Sequence, residues 1–148
     1  MKRTTRVEMC NCFAARQAAR HLTRFYEREM ADAKLTSAQF SILVLLDEIE
    51  DMSMSALADR MNMDRTTLLR AVKPMQRDGL VTSRRQKEGA GDPRSHVLNI
   101  SSAGSKRLKL ALDLWIAAQR KLETAIGPAR AARMREDLHA VSQMEIVV

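Results

Sequence analysis

Aromatic residues are scarce in this chain: one tryptophan, one tyrosine and three phenylalanines make up 3% of its 148 residues. That is too few for the stacking platforms that hold single-stranded nucleic acid. Cysteine is limited to Cys10 and Cys12, so no disulfide framework props up the fold. In a helical segment the two thiols point to different sides, and a bridge between them is geometrically poor. His21, His96 and His139 are scattered, and no Cys/His spacing matches a zinc motif; neither a metal nor a cofactor is expected. No run of about 18 apolar residues is present, which excludes a membrane-spanning helix. Lys2 and Arg3 are not followed by an apolar stretch, so no secretory leader is expected, and two unpaired thiols suit a reducing cytoplasm. The chain also lacks a nucleophile–base pair, a phosphate-cradling glycine loop and paired carboxylates in an apolar setting, so it does not read as an enzyme.

Positive charge is what the sequence has in excess. Twenty-five lysines and arginines face eighteen acidic residues, a net charge of +7. Such a balance points to a polyanionic partner, a nucleic acid or an anionic membrane surface, although a generic basic protein is the plain alternative. With 45% hydrophobic residues the chain can bury one domain-sized core.

Periodicity predicts helices with one short two-stranded interruption. A first helix is expected over roughly 8–30, with an apolar stripe of Cys10, Ala14, Ala18, Leu22 and Phe25 and an arginine stripe of Arg16, Arg20, Arg24 and Arg28. Thr36 and Gln39 form a capping box, with Leu35 and Phe40 at the staple positions, ahead of a helix that is apolar nearly all round. Residues 50–53 read as a loop, Ser55 as the cap of a short helix holding Leu57, Ala58 and Met61, and Asp64 as the cap of the next. That helix should end at Asp78-Gly79-Leu80 in a Schellman arrangement, with Leu80 against Met75. Pro74 falls inside it and predicts a bend or a weakened turn. Residues 80–85 and 95–100 read as strands around the polar turn Glu88-Gly89-Ala90-Gly91-Asp92-Pro93. Ser101 caps a long helix ending at Gly127-Pro128, and a last helix covers about 129–145.

Two short helices, a tight turn and a hairpin make a winged helix-turn-helix, in which the second short helix enters the major groove of duplex DNA. Leu68, Val72 and Met75 should face the core, leaving Thr66, Arg70, Lys73 and Arg77 outside. Arg65, Thr66 and Thr67 sit at the helix start, where base edges are reached: an arginine for guanine, a threonine for a thymine methyl. Arg70, Lys73 and Arg77 suit phosphates, which position without reading sequence. Arg84, Arg85 and Lys87 lie on the first hairpin strand, and Asp92 and Arg94 near its tip. Between 64 and 96 eight basic residues stand against four acidic ones, so this stretch carries most of the net charge. Each of these side chains taken singly is also compatible with an ordinary solvated surface, and Asp92–Arg94 with a surface ion pair of little worth.

Several segments in order carry a closer likeness: Leu35-Thr36…Gln39-Phe40, Ser55-Ala56-Leu57-Ala58, Met63-Asp64-Arg65-Thr66-Thr67-Leu68, Arg77-Asp78-Gly79-Leu80-Val81, Asp92-Pro93-Arg94 and Leu98-Asn99-Ile100-Ser101-Ser102-Ala103-Gly104. Together they resemble the multiple-antibiotic-resistance regulator (MarR) family, by motif over about 35–105 and by helix order over the whole chain. The resemblance implies a mainly α fold with a small β-hairpin wing, in a single domain. Its DNA-binding lobe would cover about 36–101, and helices from about 1–35 and 102–148 would interlock in a homodimer. It implies Ser55 and residues 64–70 at the DNA, Arg94 in the minor groove with Asp92 as its partner, and repression relieved by small phenolic or carboxylate compounds or by oxidation.

The apolar surface of the terminal helices independently asks for a partner: Trp115, Leu122, Ile126, Leu138, Val141 and Ile146-Val147-Val148 exceed what a small winged helix covers. For an effector, Phe13, Arg16, Arg20 and Phe40 are the candidate wall, since an arginine beside apolar residues suits a carboxylate; a solvated arginine stripe with core phenylalanines is the alternative. Cys10 and Cys12 are candidates for an oxidation sensor, against the plainer reading of buried thiols acting as small hydrophobes. A winged-helix protein-interaction module that ignores DNA is the competing function, but it would have no need of basic residues on both helix and hairpin.

Overall fold

The computed structural model describes residues 6–86 and 95–145. The centre of the fold is set by the capping box. The Thr36 hydroxyl accepts the Gln39 N–H at 3.2 Å and the Gln39 side chain accepts the Thr36 N–H at 3.1 Å, starting helix α2 (Ser37–Glu48). Ile42, Leu43 and Leu46 of α2 are buried to within 1% of full coverage, as an all-round apolar helix requires.

Two expectations for the next segment fail for one reason. Residues Met52–Ser53 form a short strand, β1, rather than a loop, and Ser53 rather than Ser55 caps helix α3 (Met54–Met61) by accepting the Ala56 N–H at 3.1 Å. Met52 is buried in the core, and pairing with a distant strand supplies the backbone hydrogen bonds that burial demands. Two residues are too few to show an alternating pattern in sequence.

Helix α4 (Arg65–Arg77) follows the Asn62 turn, which has φ 49°, and is capped by Asp64, whose carboxylate accepts the Thr67 N–H at 2.8 Å. Pro74 does not break it: helical structure persists to Arg77, with Val72 and Met75 buried on either side of the proline. Packing of this face outweighs the lost N–H. The helix closes as expected, with Leu80 N–H on the Met75 carbonyl at 2.9 Å, Gly79 N–H on that of Gln76 at 3.1 Å, and Gly79 at φ 72°.

Strands β2 (Val81–Arg85) and β3 (His96–Ile100) pair antiparallel with Val81 opposite Ile100 and Arg85 opposite His96. β1 adds to the other edge of β3, so the sheet has three strands in the order β1-β3-β2. Ser101 then caps the long helix α5 (Ser102–Ile126), and Gly127 at φ 90° turns the chain into α6 (Pro128–Gln143), with its proline at the first position. The core joins α2, α3, α4, the sheet and the first half of α5.

The N-terminal helix is α1 (Asn11–Glu29), preceded by one 3-10 turn. None of its residues is buried within the chain. Leu22 and Phe25 of the expected stripe are half-covered, whereas Cys10, Ala14 and Ala18 are exposed. Polar ties hold its C-terminal half to α5: Lys121 donates to Glu29 at 3.0 Å, and the Tyr26 hydroxyl donates to Gln119. Arg135 of α6 donates to Glu123 of α5 at 3.0 Å. Leu138 and Val141 of α6, and Met144 just after it, remain 47–61% exposed.

The close approach of α5 to the end of the helix-turn-helix depends on Gly104. A Cβ there would lie 2.2 Å from the Leu80 carbonyl oxygen and 2.8 Å from the Ile100 side chain. Backbone on one side and a packed branched residue on the other leave no room to give. Gly104→Ala should therefore lower stability by about 1–3 kcal/mol, read as a lowered midpoint in chemical denaturation, despite the better helix propensity of alanine.

Candidate nucleic-acid interface

The caps and the buried stripe fix which way α4 faces. With Leu68, Val72 and Met75 turned inward, Arg65, Thr66, Arg70, Lys73 and Arg77 are all exposed. Among the described residues no acidic group pairs with Arg65, Arg70, Lys73 or Arg85, while Arg77 pairs with the neighbouring Asp78 at 3.1 Å. An unneutralised row of cations along an exposed helix is the arrangement that releases counterions from a phosphate backbone. Thr67 is differently employed: its hydroxyl donates to the Asp64 carboxylate at 2.6 Å and its N–H to the same group. These two bonds, the hydroxyl first, hold the Asp64 carboxyl below its ordinary pKa.

The start of α4, the start of α3 and the first residues of β3 enclose a cleft of about 450 Å³ lined by Ser53, Met54, Ser55, Arg65, Thr66, Leu69, Ser95 and His96. Ser55, Arg65 and Thr66, singled out from sequence for three separate reasons, thus share one concave surface. Leu69, Ser95 and His96 complete it and were missed. Leu69 is 38% exposed and sits one turn beyond Arg65, a spacing that the sequence displays but that an inward-facing reading of leucine hides.

Arg84 departs from its expected role as a free cation. Its guanidinium donates to both carboxylate oxygens of Asp51, which also accepts from the Asn99 amide at 2.9 Å, while the Asp51 N–H donates to Asn99 at 2.9 Å. Asp51 stands at φ 55°, left-handed backbone that a non-glycine residue adopts at a cost. The turn after α2 is thereby fastened to both hairpin strands, and Arg84 serves to position the hairpin. Arg85, one residue on, is exposed. Lys87, Asp92 and Arg94, and the polar turn that holds them, lie outside the described residues.

A second cavity, about 390 Å³, opens between α1, α2 and α5. Phe40 lines it and stacks on Trp115 with ring centroids 6.3 Å apart. Phe13, Arg16 and Arg20 do not line it. The inward face of α1 is Ala15, Ala18, Ala19 and Leu22, and about 100° per residue of helix turn carries Arg16, Arg20 and Phe13 round to the side. Arg16 and Arg20 are exposed, and Phe13 is half-covered. The cysteines are not buried hydrophobes: Cys10 and Cys12 are both exposed. Cys10 also precedes α1, with extended backbone (φ −81°, ψ 115°), so the helical objection to a bridge between the two thiols does not hold. Among the described residues no cluster of three or more metal-ligating side chains occurs and no helix is long and apolar enough to cross a membrane.

A cationic helix presented beside a three-stranded wing, on a core continued by long flanking helices, defines a winged helix-turn-helix DNA-binding protein. Comparison with known proteins narrows this. Residues 35–89 match the MarR family model. The chain is 33% identical to the transcriptional regulator MosR of M. tuberculosis, solved in complex with DNA, over 90% of this chain and 94% of that one, with a TM-score of 0.78. It is 27% identical to the organic hydroperoxide resistance transcriptional regulator of Bacillus subtilis (strain 168) over 70% of this chain and 68% of the relative. In fold it is similar to the transcriptional repressor CouR bound to a 23-mer DNA duplex, at 22% identity and a TM-score of 0.82 over 93% and 95% of the two chains. The chain belongs to the MarR family, and it is a DNA-binding transcriptional regulator.

The Arg84–Asp51–Asn99 tie makes its own prediction. Asp51→Ala should weaken binding to every duplex by a similar factor, about 5- to 20-fold in a fluorescence-anisotropy titration, because it loosens the hairpin without touching a base-reading side chain. A change in preference between duplexes would show that Asp51 does more than position.

Proposed function

We propose that this protein is a homodimeric repressor that holds a pseudo-palindromic duplex with two copies of α4 and two wings, and lets go when a chemical signal reaches the α1 side of the fold. The observation that carries the reading is the shared cleft in which Ser55, Arg65 and Thr66 meet beside a row of unpaired cations. In this reading Arg65 donates to a guanine, Thr66 meets a thymine methyl, and Arg70 and Lys73 bind phosphates. Arg94, steadied by Asp92, enters a narrow A·T-rich minor groove. Thr67 serves the helix cap that aims them. An interaction module that ignores DNA would leave these cations without a task.

Dimerisation is supported by the coverage of α1 and α6. A nineteen-residue helix with no buried residue, and Leu138, Val141 and Met144 open to solvent, is apolar surface left for a second copy. The two α4 helices would then stand one duplex turn apart, roughly 34 Å. The α1–α2–α5 cavity is where a small-molecule effector would act, between the dimerising helices and the DNA-binding core. A cytoplasmic location accords with this role.

A thiol trigger is the second reading. It is favoured by the exposure of Cys10 and Cys12 and by the similarity to a regulator of organic hydroperoxide resistance. Oxidation to a sulfenic acid or a disulfide at the start of α1 would alter the helix on which the dimer rests.

Arg65→Ala should cost about 1–3 kcal/mol on the best duplex recovered from a random pool and flatten the preference at one position. Equal losses on all sequences would contradict a reading role. Sedimentation at micromolar concentration should show a dimer; a monomer would refute the two-fold assembly. Mild peroxide should weaken duplex binding by the wild type and leave the double variant Cys10→Ser, Cys12→Ser unaffected if the thiol reading holds. Identical responses would eliminate it.

A further inference from the structure

Every exposed side chain of α4 is polar or charged except one. Leu69 is 38% exposed, while Leu68, Val72 and Met75 fill the inward stripe of the helix and are buried. About 100° per residue of helix turn carries Leu69 away from Leu68 and sets it one turn from Arg65, Thr66 and Lys73. A lone exposed leucine is ordinary on a protein surface. This one is not on open surface: it lines the cleft at the start of α4 together with Arg65 and Thr66, and the half-buried Met54 of α3 lines it too. Ser53, Ser55, Ser95 and His96 make the rest of the lining polar.

The edges that base pairs turn to the major groove are hydrogen-bond donors and acceptors, with one apolar exception, the C5-methyl group of thymine. A leucine pressed against a donor or acceptor displaces its water and returns no bond, which costs affinity. Covering a methyl group instead gains the free energy of burying apolar surface. A cationic reading face that carries one branched apolar side chain is therefore matched to a duplex with a methylated pyrimidine at that point.

We propose, resting on the reading above that α4 enters the major groove, that Leu69 is a specificity-determining residue that selects a 5-methylpyrimidine, thymine in ordinary DNA. Its place is set relative to Arg65. Leu69 stands about 6 Å further along the helix axis, so the methyl lies within about two base pairs of the guanine that Arg65 reads. The Thr66 methyl, a turn earlier on the helix, is a separate contact.

The test is a uracil scan. Each thymine of the duplex recovered from a random pool is replaced in turn by deoxyuridine, which keeps every hydrogen-bonding group and removes only the methyl. Affinity of the full-length protein is read by fluorescence anisotropy. One position within about two base pairs of the one flattened by Arg65→Ala should lose about 3- to 5-fold with the wild type. In Leu69→Ala that loss should vanish, the thymine and deoxyuridine duplexes binding equally, while uracil losses elsewhere persist. Leu69→Gln, which keeps an unbranched helix-forming side chain in the cleft, should give the same equality. At the same position 5-methylcytosine should bind the wild type about 3- to 5-fold more tightly than cytosine. Each ratio compares two duplexes on one protein sample, so a general loosening of α4 leaves it unchanged.

The proposal is overturned if no uracil substitution near the Arg65 position lowers affinity, or if the thymine-to-deoxyuridine ratio survives in either variant that still binds. It is also overturned if 5-methylcytosine is no better than cytosine, or if both variants lose all duplex binding, which would make Leu69 a packing residue. A preferred duplex with a flattened Arg65 position but no such uracil effect removes this proposal alone. No preferred duplex at all, or an Arg65→Ala loss equal on every sequence, removes the groove-reading role of α4 and this proposal with it.

Discussion

The orientation of the reading helix depends on one junction, where the end of α4 meets the start of α5. Ser101 is central to it. Its hydroxyl accepts the Gly104 N–H at 3.0 Å and donates to the Gly79 carbonyl at 2.6 Å, and its own N–H donates to the Leu80 carbonyl at 3.0 Å. Gly104 lets α5 come close enough for all three bonds to form. The same few residues close α4, open β2, end β3 and start α5. A shift of α5 is therefore felt directly by α4. Because α5 also carries Trp115 and Gln119 toward α1, whatever happens at the cavity or at the thiols has a rigid element through which to reach the DNA-binding surface.

Charge on this surface is divided between holding and reaching. Arg84 and Asp51 are spent on fastening the wing to the turn after α2, and Asp64 and Thr67 on starting α4. Arg65, Arg70, Lys73 and Arg85 are left without an acidic partner among the described residues. The tied groups fix the angles at which the untied ones are offered. Both kinds look alike in composition, and the difference lies in long-range partners: Asp51 meets Arg84 across 33 positions of sequence and Asn99 across 48.

That distinction also explains what the sequence disclosed. The capping box at Thr36–Gln39, the Asp64 cap, the Schellman close at Gly79 and the inward stripe of α4 are local: each is written within four or five residues, and each was legible. The cap of α3 is Ser53 rather than Ser55 because of a two-residue strand whose partners are 44 and 46 residues away, and no local pattern announces it. Pro74 looked disruptive because its cost is local, whereas the burial of Val72 and Met75 that outweighs it is tertiary. Phe40 lines the α1–α2–α5 cavity, whereas Phe13, Arg16 and Arg20 do not. The arginine stripe was visible, while the rotation of α1 that turns alanines inward is set by contacts with α2 and α5. The wing tip, with Asp92 and Arg94, rests on family resemblance alone.

Hydroxyl-radical and dimethyl-sulfate footprinting on a duplex selected by this protein tests the central claim most directly. Two helices and two wings clasping one face should protect two major-groove segments about one turn apart, each flanked by a protected minor groove, and Arg94→Ala should erase only the outer, minor-groove protections. A single protected segment, or a footprint whose flanks survive that substitution, would contradict the account.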